Sequence, residues 1–314
     1  MGRLRSLLKA LPLIAAGGVP AQTPQYPLTR VPALTYLVDY EANWSPDGRQ
    51  IVLISNRHGG MKVHLLNVDS DRKGSDMKQI TYGPDEDDSP AWSPNGRQIA
   101  FVSVHAGVSD IFVMGADGSN VRQITREMGQ NIHPMWSPDG RRILFNTTFF
   151  AGQSLSDDHS GGDRRLIGEK RDDSIDLATI NADGSELARM TQGGGFTYAS
   201  YSPVGRYILH RYQQGELSQI FVMNADGSCD HNVSGAFTTD GWPAWSPDGK
   251  RIVFSRHVAN GFQIFVMNAD GSGVRQLTDA VGEFTNPRWS PDGKKILCGH
   301  RLGGTNLVAF DAPN

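Results

Sequence analysis

An aromatic residue followed by Ser-Pro-x-Gly occurs six times in this chain, at 44–48, 92–96, 136–140, 201–205, 245–249 and 289–293. The aromatic positions, five tryptophans and Tyr201, are 48, 44, 65, 44 and 44 residues apart. Recurrence at such a period means that one supersecondary unit repeats through nearly the whole chain, so the fold must be an array or a ring of like units.

The unit from Trp245 to Thr278 shows what is repeated. Behind the aromatic segment come three short runs, Ile252-Val253-Phe254, Ile264-Phe265-Val266 and Val274 to Leu277, rich in β-branched and aromatic residues and separated by turn signals. In Ser246-Pro247-Asp248-Gly249 the proline presets φ for a type I turn and the glycine suits its last position. Asp270-Gly271 reverses the chain again before the final run. The unit is thus a four-stranded antiparallel meander, and Asp47, Asp139, Asp248 and Asp292 are turn residues rather than chemistry. One such sheet cannot cover both its faces, whereas six stacked radially can, with the repeated aromatic filling the gap between neighbours. The predicted fold is all-β, a six-bladed β-propeller of four-stranded antiparallel blades. The sixth unit stops without its outer strand, and Leu28-Thr29-Arg30 repeats Ile124-Thr125-Arg126, so an N-terminal strand is expected to complete the last blade and close the ring.

With 314 residues, 38% hydrophobic and 20% charged, the chain can bury a large core. A net charge of -3 without a basic stripe argues against nucleic acid as a partner. Arg3, Arg5 and Lys9 precede a short apolar stretch, 10–19, that runs into Val19-Pro20-Ala21. These are the marks of a secretory signal over 1–21, and the stretch is too short to span a membrane. The expected product is one propeller domain, 22–314, acting as a monomer in the periplasm or outside the cell. Cys229 falls in an outer turn and Cys298 in a middle strand, so no disulfide is expected.

The Trp-Ser-Pro-Asp-Gly-Lys/Arg-x-Ile-x-Phe and Ile-Phe-Val-Met-Asn-x-Asp-Gly segments, in the same order in several units, resemble those of the TolB family of six-bladed propellers over about residues 27–311. The resemblance implies a part in the Tol-Pal envelope system. That role belongs to full-length TolB, which carries an α/β domain ahead of its propeller, and the stretch from Ala21 to Trp44 is too short to hold one. Related propellers gate prolyl oligopeptidase-like peptidases or form the body of an oligogalacturonate lyase, so the resemblance speaks to fold more than to function.

Naming the strands a to d outwards from the axis, the d-to-a and b-to-c connections share one face and the uniform a-to-b and c-to-d turns the other. Variation gathers on the first face, which is therefore expected to bind. Three residues before each repeated aromatic, Glu41, Ser89, His133, Tyr198, Trp242 and Asn286 are expected near the mouth of the central channel. Five before it stand Asp39, Asp87, Asn131, Phe196, Asp240 and Phe284. From this mixture of carboxylates, imidazole, amides and aromatics, Glu41, Asp87, His133, Tyr198, Trp242 and Asn286 are the binding candidates. One imidazole is too few for a multi-histidine metal site, and no cofactor is expected. A bound metal would take the form of oxygen-coordinated Ca²⁺ on Asp87, Asp240 or Glu41.

His58, His105, His257 and His300 recur at the ends of b strands, beside Arg57, Arg256 or Arg301, and are read as braces between loops. The run Asp85 to Asp88 is read as a solvated loop or a docking patch for a basic partner. The third unit is 21 residues longer than its neighbours, 65 against 44, which places an insertion at 153–173, with Asp158 and His159, over the loop face. No nucleophile elbow precedes Ser160.

Two functions remain. The first is a non-catalytic exported propeller that binds a protein or cell-envelope ligand through its loop face and channel. The second is a lyase or hydrolase acting on a carbohydrate or other polar substrate at the channel mouth, with His133 and a carboxylate among Asp87, Asp240 and Asp158, or His159, as acid/base groups.

Overall fold

The computed structural model describes residues 38–68, 77–126, 128–151 and 175–313. Strands make up almost all of its regular structure, and the one helical turn among the described residues is the 3-10 segment Phe149–Ala151. The strands form six antiparallel sheets around an axis. Five sheets have four strands in simple sequence order, and the sixth shows three, Glu283–Trp289, Lys295–Arg301 and Thr305–Asp311. The fifth blade is typical, running Asp240–Trp245, Arg251–Val258, Gly261–Asn268 and Arg275–Gln276 from the axis outwards. The signal-like segment 1–21, the closing strand expected at Leu28 to Arg30 and the insertion 153–173, with Asp158 and His159, lie outside the described residues.

The a-to-b turns are held by side chains that the motif itself supplies. In the first, Ser45 Oγ donates to Asp47 Oδ1 at 2.6 Å, the Arg49 N–H donates to the same oxygen, and the Gln50 N–H donates to Ser45 Oγ at 2.9 Å. The serine bond, followed by the Arg49 amide, draws the Asp47 carboxyl below its ordinary range, which marks it as a structural anion. The fourth turn has Val204 in place of the aspartate and still forms. The Tyr207 N–H donates to Ser202 Oγ at 3.0 Å, and the Gly205 N–H to the Ser202 carbonyl at 2.8 Å. The serine contacts are thus kept where the aspartate is missing.

Between blades the side chains of one sheet pack on those of the next. Ala91, Ala100, Val102, Ile111 and Val113 of the second blade meet Ile132, Trp136, Ile143 and Phe145 of the third in one continuous cluster. Trp136 is almost wholly buried there, and its Nε1 donates across the junction to the Ala91 carbonyl at 3.2 Å. The ring closes in the same way. Arg288 Nε of the last blade donates to Asn43 Oδ1 of the first at 2.9 Å. Both cysteines are free, Cys229 exposed and Cys298 buried, and burial pushes the Cys298 thiol above the ordinary thiol range.

Candidate functional site

All six innermost strands break their regular pairing at the same place. In the first, Tyr40 faces Ile54 and Asn43 faces Val52, so Glu41 and Ala42 oppose a single residue of the neighbouring strand. Equivalent bulges occur in the other five blades. The residue at each bulge takes a left-handed conformation: Glu41 (φ 52), Ser89 (φ 48), His133 (φ 51), Tyr198 (φ 51), Trp242 (φ 51) and Asn286 (φ 54). A side chain in this region costs about 1–3 kcal/mol of backbone strain. Six copies of it at one level of the ring mark a built feature. These are the six residues that counting back three from each aromatic selected.

The bulge also decides what the residues two places earlier do. One extra residue reverses the alternation of faces along a strand, so positions expected beside the channel turn into the blades instead. Asp240 is fully buried, accepting from Arg256 Nε at 2.7 Å and Nη2 at 2.9 Å. Asp39 pairs with Arg57 at 3.3 Å. Asp87 accepts from Ser103 Oγ at 2.8 Å and faces Lys62 Nζ of the preceding blade at 3.5 Å. Phe284 stacks on His300, and Asn131 reaches Asp110. Asp87 and Asp240 are thereby committed to clasps, and neither joins His133 or lines the cavity described next.

An axial cavity of about 490 Å³ runs from the bulge ring to the a-to-b turns. Glu41, Ser89, His133 and Tyr198 form its floor, with Asn43, Met135, Ser200 and Arg288 one layer above. All six turn prolines, Pro46, Pro94, Pro138, Pro203, Pro247 and Pro291, form its exposed rim. Each proline backs onto the turn glycine of the next blade: a Cβ built on Gly96 would stand 3.8 Å from Pro46 Cδ, and one on Gly249 3.5 Å from Pro203 Cδ. The cavity therefore opens on the face of uniform turns, opposite the variable-loop face on which binding was expected. The repeated motif looked purely structural because each copy closes a turn. Convergence of six copies on one axis makes it a rim as well.

The floor has a polar side and an aromatic side. Ser89 and Asn286 donate hydrogen bonds to the Glu41 carboxylate, the latter at 3.5 Å. Burial outweighs these bonds and the nearby Arg288, and raises the Glu41 carboxyl above its ordinary range. Burial likewise lowers Arg288, partly offset by Glu41. Across the floor, the His133 and Tyr198 rings lie with centroids 4.1 Å apart, and Tyr198 meets Trp242 at 5.8 Å. Trp242 turns from the cavity to pack edge-on against Phe262 at the loop side, and Asn286 sits behind Glu41, so neither lines the cavity. Burial lowers the His133 imidazole to about 3, against the raising effect of its bond to Asn146. Asn146 Nδ2 donates to the Phe196 carbonyl, which leaves Oδ1, 3.2 Å away, to accept from His133 Nδ1. The imidazole is therefore neutral at pH 7, with Nε2 as its acceptor.

The remaining sequence candidates lie in separate blades. His58 Nδ1 is 3.2 Å from His64 Nε2, His105 Nδ1 is 2.8 Å from Asp85, and His300 Nε2 is 2.9 Å from the Val281 carbonyl. Arg57 and Arg256 clasp Asp39 and Asp240, the bracing role read from their position. The acidic run does not form a uniform solvated patch. Glu86 opens an innermost strand, Asp87 is buried, and Asp88 Oδ1 accepts from the Ser89 N–H at 2.7 Å. Among the described residues no three His, Cys, Asp or Glu side chains are grouped to hold a metal ion. Counting from the aromatics missed Asn43 and Arg288. Both stand one residue before the aromatic, on the same face as the bulge residue, and continued alternation would have found them.

Six radial blades around an axial cavity define a six-bladed β-propeller with a central pocket. Residues 44–151 and 230–310 match the TolB beta propeller domain, and the chain belongs to that family. Among solved structures, a protein designated TolB from Agrobacterium tumefaciens is 23% identical, with a TM-score of 0.66 over 89% of this chain and 92% of that one. TolB from Acinetobacter baumannii is 18% identical, with a TM-score of 0.64 over 80% of this chain and 57% of that one. Oligogalacturonate lyase from Vibrio parahaemolyticus is 13% identical, with a TM-score of 0.60 over 90% of this chain and 93% of that one. At these identities the likeness shows the fold alone. No curated protein matches the chain in sequence. No helix among the described residues is long and apolar enough to cross a membrane.

Proposed function

We propose that this chain is an exported, monomeric, non-catalytic propeller that holds a protein or cell-envelope ligand, with the axial cavity as its principal binding surface and the loop face as a second. The observation that carries this reading is the state of the His133 imidazole in the cavity. His133 is kept neutral by burial and is oriented by an amide, Asn146, where acid/base chemistry at neutral pH needs a pKa near 7 and usually a carboxylate partner. Among the described residues Glu41 is the single carboxylate lining the cavity, so the paired carboxylates of glycoside hydrolysis have no counterpart among them. Export rests on the basic and apolar character of 1–21.

The test is capture with product analysis. Envelope extract is passed over immobilised protein, and the retained material is identified by mass spectrometry immediately and after long incubation. Retention of a ligand at unchanged mass, lost in Ser200→Trp, which fills the cavity, is the expected result. Turnover of the retained material into products exceeding the protein in amount refutes the binding reading in favour of a propeller enzyme, and retention unaffected by Ser200→Trp refutes the cavity as the surface.

A further inference from the structure

The axial cavity has a charged floor and an apolar sleeve. One layer above the floor, Arg288 directs Nε to Asn43 at 2.9 Å and Nη1 to the Pro287 carbonyl at 3.0 Å, which leaves Nη2 without a hydrogen-bond partner among the described residues. Glu41 attracts the guanidinium electrostatically, yet no direct ion pair closes between them among the described residues. Arg288 is half-buried, and a guanidinium partly withdrawn from water gains from an anion that completes its hydrogen bonds. Its open edge is shaped for a carboxylate. Above it Met135, Tyr201, Trp245, Trp289 and the proline rim line the way out with apolar surface. The volume, about 490 Å³, lies within the range of small-ligand pockets.

We infer that the cavity takes its ligand carboxylate-first, with the acid group on Arg288 and an apolar body in the sleeve of aromatic and proline side chains. This rests on the binding role proposed above and narrows it to one chemistry, which a free organic acid or the C-terminus of a peptide can supply.

The inference carries a proton with it. Two carboxylates at one guanidinium repel unless one is protonated, and burial already holds the Glu41 carboxyl above its ordinary range. The groups facing Glu41 are Arg288, Ser89 and Asn286; Tyr198 also faces Arg288, and His133, in the same ring, is neutral. An arriving carboxylate raises the Glu41 pKa further. Binding therefore takes up a proton, and once the ligand's own acid group is ionised, affinity falls as pH rises from the free-state to the ligand-bound Glu41 pKa.

Calorimetry on the whole chain tests this with paired probes: hexanoate against hexanamide, and an acetylated Ala-Ala-Leu peptide with a free carboxylate against the same peptide amidated. The expected result is that an acid binds and its amide does not, with affinity falling by up to about tenfold per pH unit between the free and the ligand-bound Glu41 pKa. Arg288→Gln abolishes the binding, and Glu41→Gln makes it independent of pH above the pKa of the probe acid itself. Binding of hexanoate as tight as that of the peptide identifies a free organic acid as the source; binding of the peptide alone identifies a chain terminus. Amides binding as well as acids, neither acid binding, or an unchanged pH dependence in Glu41→Gln overturns the inference. The acid and amide comparison needs no substitution and so does not depend on any variant folding. If Ser200→Trp abolishes capture of the envelope ligand while neither acid binds, the cavity still binds and the carboxylate assignment alone is lost.

Discussion

Mild acid is expected to destabilise this propeller through His133. The imidazole is bonded to Asn146, packed at a tilt on the Tyr198 ring and near two guanidinium groups, Arg211 and Arg288. Burial, the largest of these influences, lowers it from 6.5 to about 3. The unfolded chain therefore binds a proton below pH 6.5 that the folded chain refuses until about pH 3. The stabilising contribution is complete above the unfolded pKa and is lost as pH falls towards the folded one. At 1.36 kcal/mol per pH unit, lowering the pH to about 5 removes about 2 kcal/mol. The measurement is urea denaturation of the wild type and His133→Gln at about pH 7 and about pH 5. Glutamine can still donate to Asn146 but does not titrate. Other buried histidines, such as His64, lowered to about 4 chiefly by burial, are common to both proteins and cancel in the comparison. The wild type should lose about 2 kcal/mol more than the variant. Equal losses, or the His133 imidazole titrating between about pH 6 and pH 7 by NMR, would refute the argument and restore His133 as an acid/base group at neutral pH.

Other consequences follow from the clasps and junctions. Gly271→Ala combines φ +85 with a Cβ 2.2 Å from the Val233 carbonyl oxygen of the preceding blade and is expected to cost about 3 kcal/mol. Gly215→Ala, at φ +65 with nothing within 4 Å, should cost only about 1 kcal/mol, and equal midpoint shifts in urea would show that close approach between blades plays no part. Arg256→Ala leaves the fully buried Asp240 carboxylate without its bidentate partner and should lower stability by on the order of 3 kcal/mol. Calorimetric melting of Arg256→Ala beside the double change with Asp240→Asn tests this, since the second substitution should recover part of the loss. Trp136→Ala opens a cavity in the junction of the second and third blades and is expected to cost about 4 kcal/mol in denaturant titration. A loss near 1 kcal/mol would mean that the junction collapses to fill the space.

The architecture was legible because each unit repeats its own instructions. Ser-Pro-x-Gly and Asp-Gly encode turns locally, the β-branched runs encode strands, and a shared period forces like units to stack. The same counting picked out Glu41, Ser89, His133, Tyr198, Trp242 and Asn286 as residues near the channel, because they hold one register against the aromatics, but not the bulges on which they sit. What counting could not supply was the sense of the strand beyond that point. A bulge is one extra residue in a pairing between two strands, and no local signal separates Asp87 or Asp240 facing a channel from the same residues facing a blade.

Sequence alone therefore determined the unit, its number and the radial order of its strands, since these depend on contacts between residues near one another in the chain. Tertiary structure decided where the ligand space lies. Arg288 and Asn43, 245 positions apart, meet only because the ring closes. The six prolines become a rim only because six like turns converge on one axis. A repeat states its own conformation in every copy, whereas the cavity is a property of how the copies face each other, and burial at that meeting point sets the charge states of Glu41, His133 and Arg288.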